Sequence, residues 1–228
     1  MINTLDDYIR YSLPAYGNFS TNPNLIKKAN ENGELLPFFG NTVVYLLDNN
    51  TKCRIAALQD ELYRAAPVMF SEKLNPDTFH MTVHDLANGH INDIQLRERM
   101  TVIYPKAREI LRREKPNHTL RMKTTWMFNM VNTSIVLGLT PSDAESYRTL
   151  DRLYCSFEEI MPLGYALTPH ITLAYFKPGI YEETAVAKLR DYLRLVEMEI
   201  SLEPQNLVIQ DFTDMNTYRT IIDQFGGE

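Results

Sequence analysis

Two stretches decide the reading of this chain: DTFHMTVHDL at positions 77–86 and TPHITLAYF at positions 168–176. Each holds a histidine, an apolar residue, a threonine and another apolar residue, as His80-Met81-Thr82-Val83 and His170-Ile171-Thr172-Leu173. Side chains on a strand alternate faces. His80 and Thr82 therefore share one face while Met81 and Val83 pack on the other, and His170 and Thr172 repeat the arrangement.

The surroundings repeat as well. Around the first motif the pattern predicts a strand at 41–48, a helix at 51–66, a strand at 78–86 and a helix at 91–115, which Pro105 is expected to break or kink. Around the second it predicts a strand at 132–139, a helix at 142–160, a strand at 168–176 and a helix at 181–196. Asn41-Thr42-Val43-Val44 matches Asn132-Thr133-Ser134-Ile135 at a spacing close to that of the two motifs. A strand at 120–130 leads through the turn-prone Val131-Asn132, and three short strands near 198–203, 206–212 and 217–222 close the chain. Thr51 or Asn50 is the expected cap of the first helix, and Ser142 or Asp143 that of the third. The order of elements predicts a duplicated α+β, bilobal fold in which two antiparallel sheets face a central groove with helices outside. Residues 1–38, polar and punctuated by Gly17, Pro14, Pro23 and Gly33, are read as an N-terminal extension packing on a domain that spans 39–228.

Two imidazoles in one groove divide proton transfer between a base and an acid near neutral pH. Two threonine hydroxyls between them donate hydrogen bonds to phosphate oxygens. That combination suits cleavage of a phosphodiester without a metal. On these motifs the chain resembles the 2H phosphoesterase superfamily, which includes the LigT-like RNA 2′,3′-cyclic phosphodiesterases. The resemblance spans roughly residues 39–222 and rests on the paired His-x-Thr motifs and the closing segment around Tyr218. It implies the bilobal fold, His80 and His170 as acid and base, and Thr82 and Thr172 as phosphate ligands, with no cofactor. The first 38 residues and the stretch LLPFFGNTVVYLL depart from the RNA enzymes' pattern and point to a separate branch. The activity implied is metal-independent hydrolysis of a cyclic phosphate or 2′-5′ phosphodiester in a nucleotide, short oligonucleotide or RNA end. A nucleotide-binding module of the same fold with little turnover, and an RNA-end repair or ligase activity, are the alternatives.

Further residues are expected near the groove. His84 has the parity of His80 and Thr82; it is read as a rim residue, a substrate contact or the third member of a three-histidine metal site. Phe176 has the parity of His170 and Thr172 and is a candidate for stacking a base, with Tyr175 assigned to the core. Arg121 and Lys123 share a strand face at the end of a basic run, 97–123, that carries nine Lys or Arg against three Glu. His90 and His118 fall in loop-like contexts at the surface.

Composition bounds the partners. The chain of 228 residues is 44% hydrophobic, enough for a core, and carries 23 Lys and Arg against 29 Asp and Glu for a net charge of −6. An acidic chain is a poor match to long duplex nucleic acid. A small anionic substrate and a monomer are expected. Cys53 and Cys155 form no disulfide framework. No leader or membrane-spanning run is evident, so a cytoplasmic protein without membrane partners is expected.

Overall fold

The computed structural model describes residues 2–3, 13–90 and 92–221. Ten strands and four α-helices follow in chain order. They are β1 (Phe19–Ser20), β2 (Phe39–Leu46), α1 (Asn49–Ala65), β3 (His80–Gly89), α2 (Ile94–Glu114), β4 (Leu120–Met130), β5 (Ser134–Pro141), α3 (Ala144–Glu158), β6 (His170–Tyr175), β7 (Ile180–Tyr181), α4 (Glu183–Tyr192), β8 (Glu199–Leu202), β9 (Leu207–Asp214) and β10 (Thr217–Thr220). The doubled strand–helix order read from the sequence is present. The closing strand ends before Ile222, which lies outside the described residues, as does Ile91 at the start of the expected second helix.

Two four-stranded antiparallel sheets form, with orders β10-β9-β2-β3 and β6-β5-β4-β8. Each histidine strand is the edge strand of its sheet, and β3 lies against β6. This puts the two motifs side by side at the junction of the lobes. β2 is buried over six consecutive residues, Gly40 to Tyr45, as expected of a strand covered on both faces.

The helices close the outer faces. Asp48 caps α1 by accepting from the Thr51 amide at 2.9 Å, so the cap lies before the residues expected to provide it. Asp143 caps α3 by accepting from the Ser146 amide at 2.8 Å. α2 runs through Pro105 without a break. Leu96, Ile103, Ala107 and Ile110 anchor its inner face, while Pro105 sits on the solvent side.

Residues 13–38 are tied to both lobes. β1 pairs with β7, the Asn22 amide donates to the Asn132 carbonyl at 2.9 Å, and Phe38 donates to the Thr213 carbonyl. Phe19 and Leu25 are buried in the main core. A short 3-10 turn at Pro23–Lys27 leads to Lys28. Among the described residues no helix is long and apolar enough to cross a membrane.

Candidate functional site

The approach to each histidine is the same. The His80 Nδ1 donates to the Thr78 carbonyl at 2.7 Å, and the His170 Nδ1 donates to the Thr168 carbonyl at 2.6 Å. A carbonyl only accepts, so in the neutral ring the proton sits on Nδ1 and the lone pair on Nε2. His80, Thr82, His170 and Thr172 line one groove of about 300 Å³. Thr78, Asp85, Asn88, Thr133, Ser134, Tyr175 and Tyr218 line it too. The pairs expected from the sequence thus meet in one place.

Burial holds both imidazoles below their ordinary range. The His80 ring is pushed down from 6.5 to about 4, chiefly by desolvation, against the opposing pull of the Thr78 carbonyl and Asp85. The His170 ring is lowered for the same reason, with the Thr168 carbonyl and Asp85 again opposing. Each ring is therefore mostly neutral at pH 7. Tyr218 meets His80 edge to face, with ring centroids 4.9 Å apart, and its phenol is held protonated by burial.

Beyond the threonines the alternation fails, and it fails at the same place in both motifs. On β3, Val44 pairs with Thr82 and Val43 with His84, leaving Val83 as an extra residue. On β6, Val136 pairs with Thr172 and Ile135 with Ala174, leaving Leu173 extra. Each is a β-bulge, and each inverts the parity of the residues after it. Both bulges are secured by hydrogen bonds. The Thr42 hydroxyl donates to the His84 carbonyl at 3.1 Å, and the wholly buried Gln59 amide donates to the Leu173 carbonyl at 2.9 Å.

The inversion corrects two assignments. His84 turns away from the groove and is 1% exposed; its Nε2 lies 3.0 Å from Glu158 Oε1, and its ring packs against Tyr154 and Phe157. The residue it would have displaced, Asp85, faces the groove instead. Likewise Phe176 is fully buried against Phe19 and Phe70, and Tyr175 takes the groove position. Asp85 and Tyr175 each stand five residues after their histidine and are counterparts in the two lobes.

Arg121 and Lys123 do not line the groove. They project to solvent from the far end of β4, where Lys123 pairs with Glu199 across the strands and Arg121 approaches Asp143 at 3.9 Å. Strand parity put them on a common face but gave no position along the sheet. Elsewhere in the basic run Arg99 pairs with Asp93 and Arg113 with Glu114 at the surface. Among the described residues no group of three His, Cys, Asp or Glu is placed to hold a metal. His84 is not among the residues lining the groove of His80 and His170, and among the described residues the three-histidine set does not assemble. The two cysteines are exposed and not disulfide-bonded. A larger cavity of about 970 Å³, between α2 and the β2–β9 face, contains no histidine among its lining residues.

No protein-family model matches the sequence, and no curated protein matches it. Solved structures do. ATU0111 of Agrobacterium tumefaciens strain C58, a conserved protein of unknown function, aligns at a TM-score of 0.63 with 17% identity over 96% of this chain and 99% of that one. TT0787 of Thermus thermophilus aligns at 0.52 with 14% identity over 80% and 95%. Escherichia coli LigT in its apo form aligns at 0.47 with 13% identity over 82% and 96%. The first two likenesses establish that the chain shares its α+β fold with ATU0111 and TT0787.

Proposed function

We propose that the chain is a metal-independent phosphoesterase of the 2H type, acting on a cyclic phosphate or 2′-5′ phosphodiester of a nucleotide, short oligonucleotide or RNA end. The observation that carries the reading is the duplicated His-x-Thr geometry. Two imidazoles, each oriented by the carbonyl two residues upstream, share a groove with two threonines.

In this reading the phosphate lies between the motifs, and the Thr82 and Thr172 hydroxyls donate to its non-bridging oxygens. One imidazole accepts a proton from water at Nε2 as the water oxygen bonds to phosphorus. The other gives its Nε2 proton to the departing oxygen as the phosphorus–oxygen bond breaks. The anionic phosphate raises the affinity of both rings for a proton, offsetting the burial that keeps them neutral. The acidic chain favours a small substrate over a long duplex.

The test is turnover of 2′,3′-cyclic nucleotides, ADP-ribose cyclic phosphate and 2′-5′ oligoadenylate with chelator present. His80→Ala and His170→Ala each lower the rate by about 10²–10⁴-fold, and Thr82→Val by about 10–100-fold while Thr82→Ser keeps most activity. An activated leaving group restores the variant that lacks the acid but not the one that lacks the base. Near-wild-type turnover by both histidine variants on a good substrate would refute the mechanism; tight nucleotide binding without turnover would favour the binding module.

A further inference from the structure

The groove holds one positively charged side chain among the described residues, and neither motif supplies it. Lys28 comes from the N-terminal segment, ahead of both lobes, and is the only Lys or Arg among the described residues lining the groove. Its ammonium lies 5.2 Å from the centre of the Phe38 ring and 5.4 Å from that of Tyr175. The ammonium thus lies over two aromatic faces. Among the described residues Lys28 has no carboxylate partner, although Asp85 lines the same groove.

Its position is built rather than draped. The Lys28 amide donates to the Leu25 carbonyl at 2.8 Å, and its own carbonyl accepts from the Leu36 amide at 2.8 Å. Between them the chain turns at Gly33, whose φ of +88° suits glycine and whose carbonyl accepts from the Glu72 amide at 2.7 Å. The Asn30 Oδ1 accepts from the Asn32 and Glu34 amides, closing the same turn. Leu25 and Ala29, which flank Lys28, are buried.

We infer that Lys28 binds an anionic oxygen of the substrate's phosphate, which makes the N-terminal segment part of the substrate site. The inference rests on the phosphoesterase reading and names its missing charge partner. A diester phosphate carries one negative charge, the threonines are neutral donors and the imidazoles are mostly neutral at pH 7. Lys28 is the fixed positive charge available to it. Its field also reaches His170, whose affinity for a proton it lowers. A phosphate between them screens that effect and lets the ring take its proton.

The experiment compares wild type with Lys28→Met, Lys28→Arg and Lys27→Met. Methionine keeps the apolar stem over the rings, and Lys27 is an exposed neighbour outside the groove. Inorganic phosphate is titrated while the His80 and His170 ring protons are followed by NMR, and kcat/KM is measured on a 2′,3′-cyclic nucleotide. Lys28→Met weakens phosphate binding by about 10–100-fold, raises the pKa of free His170, and lowers kcat/KM by a similar factor. Lys28→Arg restores most of the binding, and Lys27→Met stays within about twofold of wild type. Unchanged phosphate binding in Lys28→Met overturns the inference, and with wild-type turnover intact it leaves the phosphoesterase reading standing. Phosphate binding that depends on Lys28 in a protein that turns over no phosphodiester supports the inference and removes the hydrolase. Failure of the wild type to bind phosphate overturns it outright.

Discussion

Acid titration of the folded protein exposes the state of His80 directly. The ring has a pKa of about 4 in the fold against 6.5 when free, because burial disfavours the charged form. A group whose folded pKa is depressed in this way leaves stability intact above 6.5. As pH falls below 6.5 the unfolded chain takes up the proton first, so stability is lost until the folded ring titrates as well. The shift is about 2.5 pH units at about 1.4 kcal/mol each, which limits the loss to about 3–4 kcal/mol. About 2 kcal/mol of it has gone by pH 5. The groove admits water, so these figures are upper bounds. The assay is urea unfolding of wild type and His80→Gln at half-unit steps from pH 7.5 to 4. The difference in unfolding free energy between the two proteins should shift in favour of the variant by up to these amounts as pH falls. The ring proton of His80, followed by NMR, should titrate near 4. Parallel stability curves together with a ring titrating near 6.5 would refute the burial argument.

Three further outcomes concern the bulges and the hairpin. Asp85→Asn removes the charge that helps both imidazoles hold a proton, so both NMR titrations and the optimum of kcat/KM move to lower pH; an upward move would contradict the placement of Asp85. His84→Ala empties a buried site against Tyr154 and Phe157 and should cost about 2–4 kcal/mol in urea unfolding, with kcat largely retained; a loss of activity at full stability would return His84 to the groove. Val131 sits at φ 44° in the β4–β5 turn, where a β-branched residue is strained, so Val131→Asn should raise stability by about 1 kcal/mol at unchanged m-value. A lower denaturation midpoint would show that the valine makes contacts worth more than the strain.

The motifs and the duplicated order were legible because His80, Thr82, His170 and Thr172 lie before the bulges, where alternation holds. His84 and Phe176 were misplaced because a period of two was carried through Val83 and Leu173. A local signal was present: Leu173-Ala174 is an adjacent apolar pair at one bulge, and after the other the charged Asp85 and the apolar Leu86 fall on the opposite faces from those that strict alternation assigns them. Leu173 and Ala174 are both buried here. Lys28 was missed for a different reason. Its place over Phe38 and Tyr175 depends on a fold formed by three distant segments, and no local periodicity encodes that. Arg121 and Lys123 show the converse, since a shared face says nothing about distance along a strand.

Two matched lobes offer a ligand nearly the same cradle from either side: a histidine, a threonine and a carbonyl-oriented ring. Such a cradle, taken alone, would be degenerate, accepting an unsymmetrical guest in two senses that differ by a half-turn. The bulges remove that degeneracy by placing a carboxylate, Asp85, in one lobe where the other has a phenol, Tyr175. A guest then meets one anionic wall and one aromatic wall, and its two ends are no longer interchangeable. The inserted residues that break the strand ladder thereby give a duplicated scaffold its handle on direction.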